Sequence, residues 1–308
     1  MRLHVAFPDR LLTVADGDVT TTALDDVECL AVAAGDVFVG TGDGLYRRVD
    51  DGLECVLDGH VTAVARGDGE WWAGTEPSAV YRSTDGETWD ALPELTTLPS
   101  ADSWSFPPRP HTHHVRWLEP DPSRDGRWYV AVEAGALLRT DDGGETWRDR
   151  VPGARLDTHE LAAHPDAPSR LYCAAGDGYA ESTDGGDTWT YPQAGLDERY
   201  CWSVAVDPAD PEVRVLSAAR SAMQAHRDGV SSVYRRRGDG NWERIDALPY
   251  GEGCYRAVVR APRDGTFLVC SNRGVFRSDD GGRTWTERVA GHDLPDAPPA
   301  GFGVASQR

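Results

Sequence analysis

The segment RPHTHHVRW, residues 109–117, places three histidines and two arginines within nine positions. Imidazole titrates near neutrality and ligates metals, while guanidinium grips carboxylates and phosphates in a planar fork. In an extended chain His111 and His113 point the same way, whereas the neighbours His113 and His114 diverge. Together with His159, His111 and His113 could supply a divalent-metal site, with Glu133 or Glu160 as a carboxylate or catalytic base. The same residues could instead serve binding. Arg109, Arg116, Arg220, Arg256 and Arg273 suit a carboxylate or phosphate, and Trp104, Tyr200 and Tyr255 could wall a pocket that His114 and His226 complete. No HExxH motif, nucleophile elbow, phosphate loop or nucleotide fingerprint accompanies them, so no cofactor beyond a divalent metal is indicated.

Residues so far apart in the chain need a scaffold that gathers them. Three near-identical strings supply its signature: RTDDGGETW (139–147), ESTDGGDTW (181–189) and RSDDGGRTW (277–285). A shorter copy, STDGETW, occupies 83–89, and degenerate copies lie at 47–54 and 236–242. Around each runs the same order of short segments rich in Val, Phe, Tyr, Trp and Thr, bounded by Gly, Asp or Pro. That is strand chemistry with hairpin turns, and no long helical periodicity interrupts it. Four antiparallel strands repeated at roughly 40 residues predict a β-propeller.

The string S/T-x-D-x-G-x-T-W resembles the Asp-box, or BNR, repeat of sialidases and of other WD40/YVTN-like propellers. It is complete at Thr140–Trp147, Ser182–Trp189 and Ser278–Trp285. The resemblance implies that Asp85, Asp142, Asp184 and Asp280, with Trp89, Trp147, Trp189 and Trp285, are turn scaffold on the face away from the ligand. The sialidase pattern also includes an FRIP-like motif near the start; here FPPRP (106–110) differs in order and position. Asp-box proteins further include noncatalytic assembly factors and receptor ectodomains, which makes a protein partner the expectation of a third reading.

Six units are expected at 27–59, 60–95, 113–153, 157–195, 200–249 and 254–291. Residues 301–307 with 2–24 make a seventh, so that 1–308 forms a single domain closed by pairing of its termini. Six blades with an N-terminal appendage is the alternative. Two insertions, 95–112 and 219–232, fall on the blade ends opposite the acidic turns. Seven of the nine histidines map there as well, His60 and His292 among them, while His4 and His164 do not. That end is expected to hold a small anionic or sugar-like molecule. The alternatives are a metal-assisted lyase or glycoside-type hydrolase on the same residues, and a protein-interaction scaffold.

Composition narrows the setting. Lys and Arg total 31 against 51 Asp and Glu, a net charge of −20, and every one of the 31 is arginine. An acidic, lysine-free surface resembles the proteome of a salt-adapted organism, where concentrated salt screens self-repulsion. No basic stripe favours nucleic acid. No signal peptide or membrane span is visible, and the six scattered cysteines suggest a reducing cytoplasm.

Overall fold

The computed structural model describes residues 2–15, 18–50 and 52–305. The fold is all-β, a seven-bladed propeller of four-stranded antiparallel blades, which excludes the six-bladed alternative. Regular helix among the described residues is confined to three 3-10 turns and one turn of π-helix, Gln224–Asp228. No helix there is long and apolar enough to cross a membrane.

The chain divides into two compact units, Met1–Val151 with Ala300–Arg308, and Pro152–Pro299. The first unit holds blades I to IV. Blade I orders its strands as Gly301–Ala305, Arg2–Phe7, Arg10–Ala15 and Asp18–Ala23, so the C-terminal strand does complete the N-terminal blade. Residues 306 and 307 of that expected strand, and Asp51 of the degenerate turn, lie outside the described residues. Blades II and III start on Val27–Ala33 and His60–Gly67. Blade IV, from Val115–Pro120 onward, gains its fourth strand through the single bridge Arg139↔Arg148.

The second unit holds blades V to VII, whose first strands are Thr158–Ala163, Tyr200–Asp207 and Val258–Arg263. The expected insertion at 219–232 does sit between the second and third strands of blade VI, Asp210–Ala219 and Val230–Arg237.

Within each unit the blades are joined by apolar side chains from alternate strand positions. Trp72 of blade III stacks on Trp128 of blade IV with ring centroids 4.2 Å apart and planes 5° from parallel. Tyr172, Tyr179, Val204, Leu216 and Trp242 form the corresponding cluster of blades V and VI. The second strand of blade III, Glu70–Glu76, approaches the first strand of blade IV so closely that Gly74 has no room for a side chain: a Cβ there would lie 2.4 Å from Val115 Cγ1.

The acidic strings form the reversals between third and fourth strands. Asp280 shows how. Its Oδ1 accepts from Ser278 Oγ (2.8 Å), Arg283 N (3.0 Å) and Thr284 N (2.9 Å), and its Oδ2 accepts from Thr284 Oγ1 (2.7 Å). Gly281 and Gly282 take φ of 73° and 80°, which an L side chain resists. Trp285 Nε1 then donates to Gly282 O at 3.1 Å. Asp142 and Asp184 repeat the arrangement. Burial pushes the Asp280 carboxyl up, but these donors outweigh it and hold it at about 2, below the ordinary 3.8. Asp280→Ala is expected to lower the unfolding free energy at pH 7 by roughly 1–3 kcal/mol in a denaturant titration. Because the folded-state value is depressed, the contribution is complete above about 4 and declines as pH falls toward 2. The difference between wild type and variant should shrink accordingly.

Candidate functional site

Antiparallel register assigns each residue to one end of its blade. In blade III His60 pairs with Glu76 where the first strand begins, the leading end, and Trp71 pairs with Ser83 at the acidic-turn end. A second feature selects side chains at the leading end. In blades II, III and IV the register slips just inside the first strand, at Val27/Cys29, Val61/Ala63 and Val115/Trp117. The residues left out of the ladder are Glu28, Thr62 and Arg116. In blades V and VI the same slip leaves out His159 and Trp202. A bulge re-aims its extra side chain.

In the first unit these positions join the insertion 95–112. The insertion is anchored by Trp104, whose Nε1 donates to Ser100 Oγ at 2.9 Å, while Asp149 accepts the Ser100 backbone N–H at 3.0 Å. A tight turn, Phe106–Thr112, carries Arg109 over the Phe106 ring. Arg109 grips Glu76 with Nε and Nη2, and Phe106 stands edge-on to His114 at 4.6 Å. His114 Nε2 donates to Glu133 Oε2 at 3.0 Å, and Arg116 Nε lies 3.6 Å from the same oxygen. His60 Nε2 donates to Glu28 Oε1 at 3.3 Å. His60 Nδ1 and His114 Nδ1 each lie 3.9 Å from Glu76 Oε2. Carboxylates and bases thus alternate from Glu28 to Arg116.

Electrostatics follow from that alternation. Burial works to raise the carboxyls of Glu28 and Glu76, but His60 on the first and Arg109 on the second outweigh it, so both sit below the usual range. The hydrogen bond to Glu28 raises His60 above 6.5 against the opposing effect of burial. Burial lowers His113, whose Nδ1 accepts the Ser78 N–H at 3.3 Å and whose ring meets Trp104. His111 is exposed.

The second unit gathers a different set. His159, fully buried, donates from Nδ1 to Cys201 O at 2.7 Å and packs against Tyr200 and Trp202, with centroids at 4.9 and 4.6 Å. The π-turn brings in His226. Arg256 Nε donates to His226 Nδ1 at 3.1 Å, so the neutral ring carries its hydrogen on Nε2 and donates to Tyr200 Oη at 3.2 Å. The Arg256 guanidinium lies 3.8 Å above the Trp202 ring and also donates to Pro299 O. Glu160 is paired with Arg260 at 2.9 Å. Tyr255 is held through its backbone N–H on Asn272, while Arg220 and Arg273 are exposed.

No family model matches the chain. A xyloglucanase of a Paenibacillus species is 27% identical over 256 residues, 68% of this chain and 23% of that enzyme. The GH74 enzyme of Niastella koreensis superposes with a TM-score of 0.70 at 17% identity, over 94% of this chain and 52% of that one. YCF48 bound to D1 peptide gives 0.59 at 17% identity, over 86% and 82%. The chain therefore spans about a quarter of the curated relative and about half of the GH74 structure. These likenesses bear on fold. They set the chain among propellers that include a carbohydrate-acting enzyme and a peptide-bound protein.

Sequence reasoning missed Glu28, Glu76 and Trp202 as partners at these ends. A signal for Glu76 existed: AGTE (73–76) ends one second strand on glutamate, and VAVE (130–133) places another just past the second strand of the next blade. Glu28→Gln is expected to bring the His60 titration down toward 6.5 when its ring protons are followed by NMR, because the carboxylate is the largest influence holding it up. An unchanged His60 titration would place the controlling charge elsewhere.

Proposed function

We propose that the protein is a saccharide-binding propeller whose site is the leading end of blades II to IV. The observation that carries this reading is the arrangement around Glu76, where carboxylate, guanidinium and two imidazoles are already matched to one another. Such a surface offers sugar hydroxyls both donors and acceptors without requiring a charged ligand. Arg109 and Arg116 lie against Glu76 and Glu133, which favours the carbohydrate-like ligand over the anionic one. The likeness to a xyloglucanase supports the same class.

Binding is favoured over hydrolysis by the state of the carboxyls. Glycoside hydrolysis uses one carboxyl kept protonated beside one kept ionised. Glu28 and Glu76 are both held in the ionised direction, and Glu133 and Glu160 sit on basic partners. We read the acidic turns as Asp-boxes serving as scaffold at the other end. The acidic, lysine-free composition fits a salt-rich cytoplasm.

Calorimetry with xyloglucan oligosaccharides and cellotetraose tests this directly. Saturable binding without release of new reducing ends is expected, and Arg109→Ala should weaken it about tenfold or more. Release of reducing ends would replace the reading with the hydrolase. Absence of binding across the panel would overturn it.

A further inference from the structure

Resting on the saccharide reading, we infer that the position between His60, Glu76 and His114 recognises a protonated primary amine carried by the ligand.

Hydrogen placement makes the case. Glu28 and Glu133 can only accept, so the facing Nε2 atoms of His60 and His114 carry the hydrogens. In the neutral rings both Nδ1 atoms are then bare acceptors. Both face the same oxygen, Glu76 Oε2, at 3.9 Å. His114 is only 5% exposed, and its Nδ1 has no hydrogen-bond partner. Three acceptors that converge, one of them buried, call for a group that donates several hydrogens. A hydroxyl donates one; an ammonium donates three.

Charge points the same way. The three carboxylates of Glu28, Glu76 and Glu133 stand beside the guanidiniums of Arg109 and Arg116, so a cation placed among them meets carboxylates on several sides. The hydrogen bond with Glu28, with Glu76 nearby, already favours positive charge on His60. Spacing leaves room for either. Zinc bonds of about 2.1 Å put tetrahedral ligand atoms roughly 3.4 Å apart. Hydrogen bonds of about 2.8 Å from a tetrahedral ammonium put its acceptors roughly 4.6 Å apart, and the 3.9 Å separations lie between the two, so zinc retention is measured alongside. His60, with 24% of its side chain exposed, and Arg109, with 42%, form the solvent side of the cluster, above the buried Glu76 and His114.

The probe pair is cellotetraose and its 6-amino-6-deoxy derivative, titrated by calorimetry at a pH above the His60 titration followed by NMR. The amino derivative is expected to bind at least tenfold more tightly. Glu76→Gln should reduce that ratio to near one, and His60→Gln, at a partly exposed position, should also reduce it. Equal affinities in the wild-type protein would overturn the amine site and leave the saccharide reading intact. Binding of neither sugar would remove both. Stoichiometric retention of zinc by the sugar-free protein would also overturn the inference, because the three acceptors would then serve a metal.

Discussion

A one-residue bulge just inside the first strand is the constraint on which the rest depends. It recurs in blades II to VI and lifts Glu28, Thr62, Arg116, His159 and Trp202 out of the pairing ladder. Ordinary alternation would send these side chains to one or other sheet face, into the apolar layers between blades. The bulge instead frees a polar or aromatic residue at the end where the strand starts. Thr62 shows the structural use: its hydroxyl donates to Val115 O at 2.7 Å and joins blade III to blade IV. Glu28 and Arg116 show the other use, since each meets a histidine or glutamate from a neighbouring strand.

Much of the architecture was legible because it is local. The turn strings state their own hydrogen bonds, with hydroxyl, carboxylate and paired glycines inside nine residues. The complementary terminal strands could be counted. The divergence of His113 and His114 followed from backbone alternation, and the two rings do meet different partners, Trp104 and Phe106. The insertions were legible as spacing anomalies, and the one in blade VI proves to be the device that carries His226.

What could not be read were the partners. Glu76 meets Arg109 across 33 residues, and Arg256 meets His226 across 30. No local pattern announces such pairings, and a bulge without a glycine leaves no mark in the sequence. In a chain with so many carboxylates, Glu28 and Glu76 looked like ordinary surface charge. Their positions in the fold, each facing a histidine, set them apart. The arginines likewise looked available for an anion, whereas Arg109 and Arg116 each face a glutamate. Close pairing of unlike charges in partly buried surroundings converts a charged surface into one that reads hydroxyl and amine geometry.

Hydrogen–deuterium exchange with and without saturating xyloglucan oligosaccharide locates the ligand with the least assumption. Slower exchange confined to residues 76–80 and 105–116 is the expected result, because the backbone that carries Glu76, Arg109 and His114 would be ordered by the bound sugar. Protection confined to the acidic turns, at 140–147 or 278–285, would contradict it and assign the ligand to the opposite end of the blades.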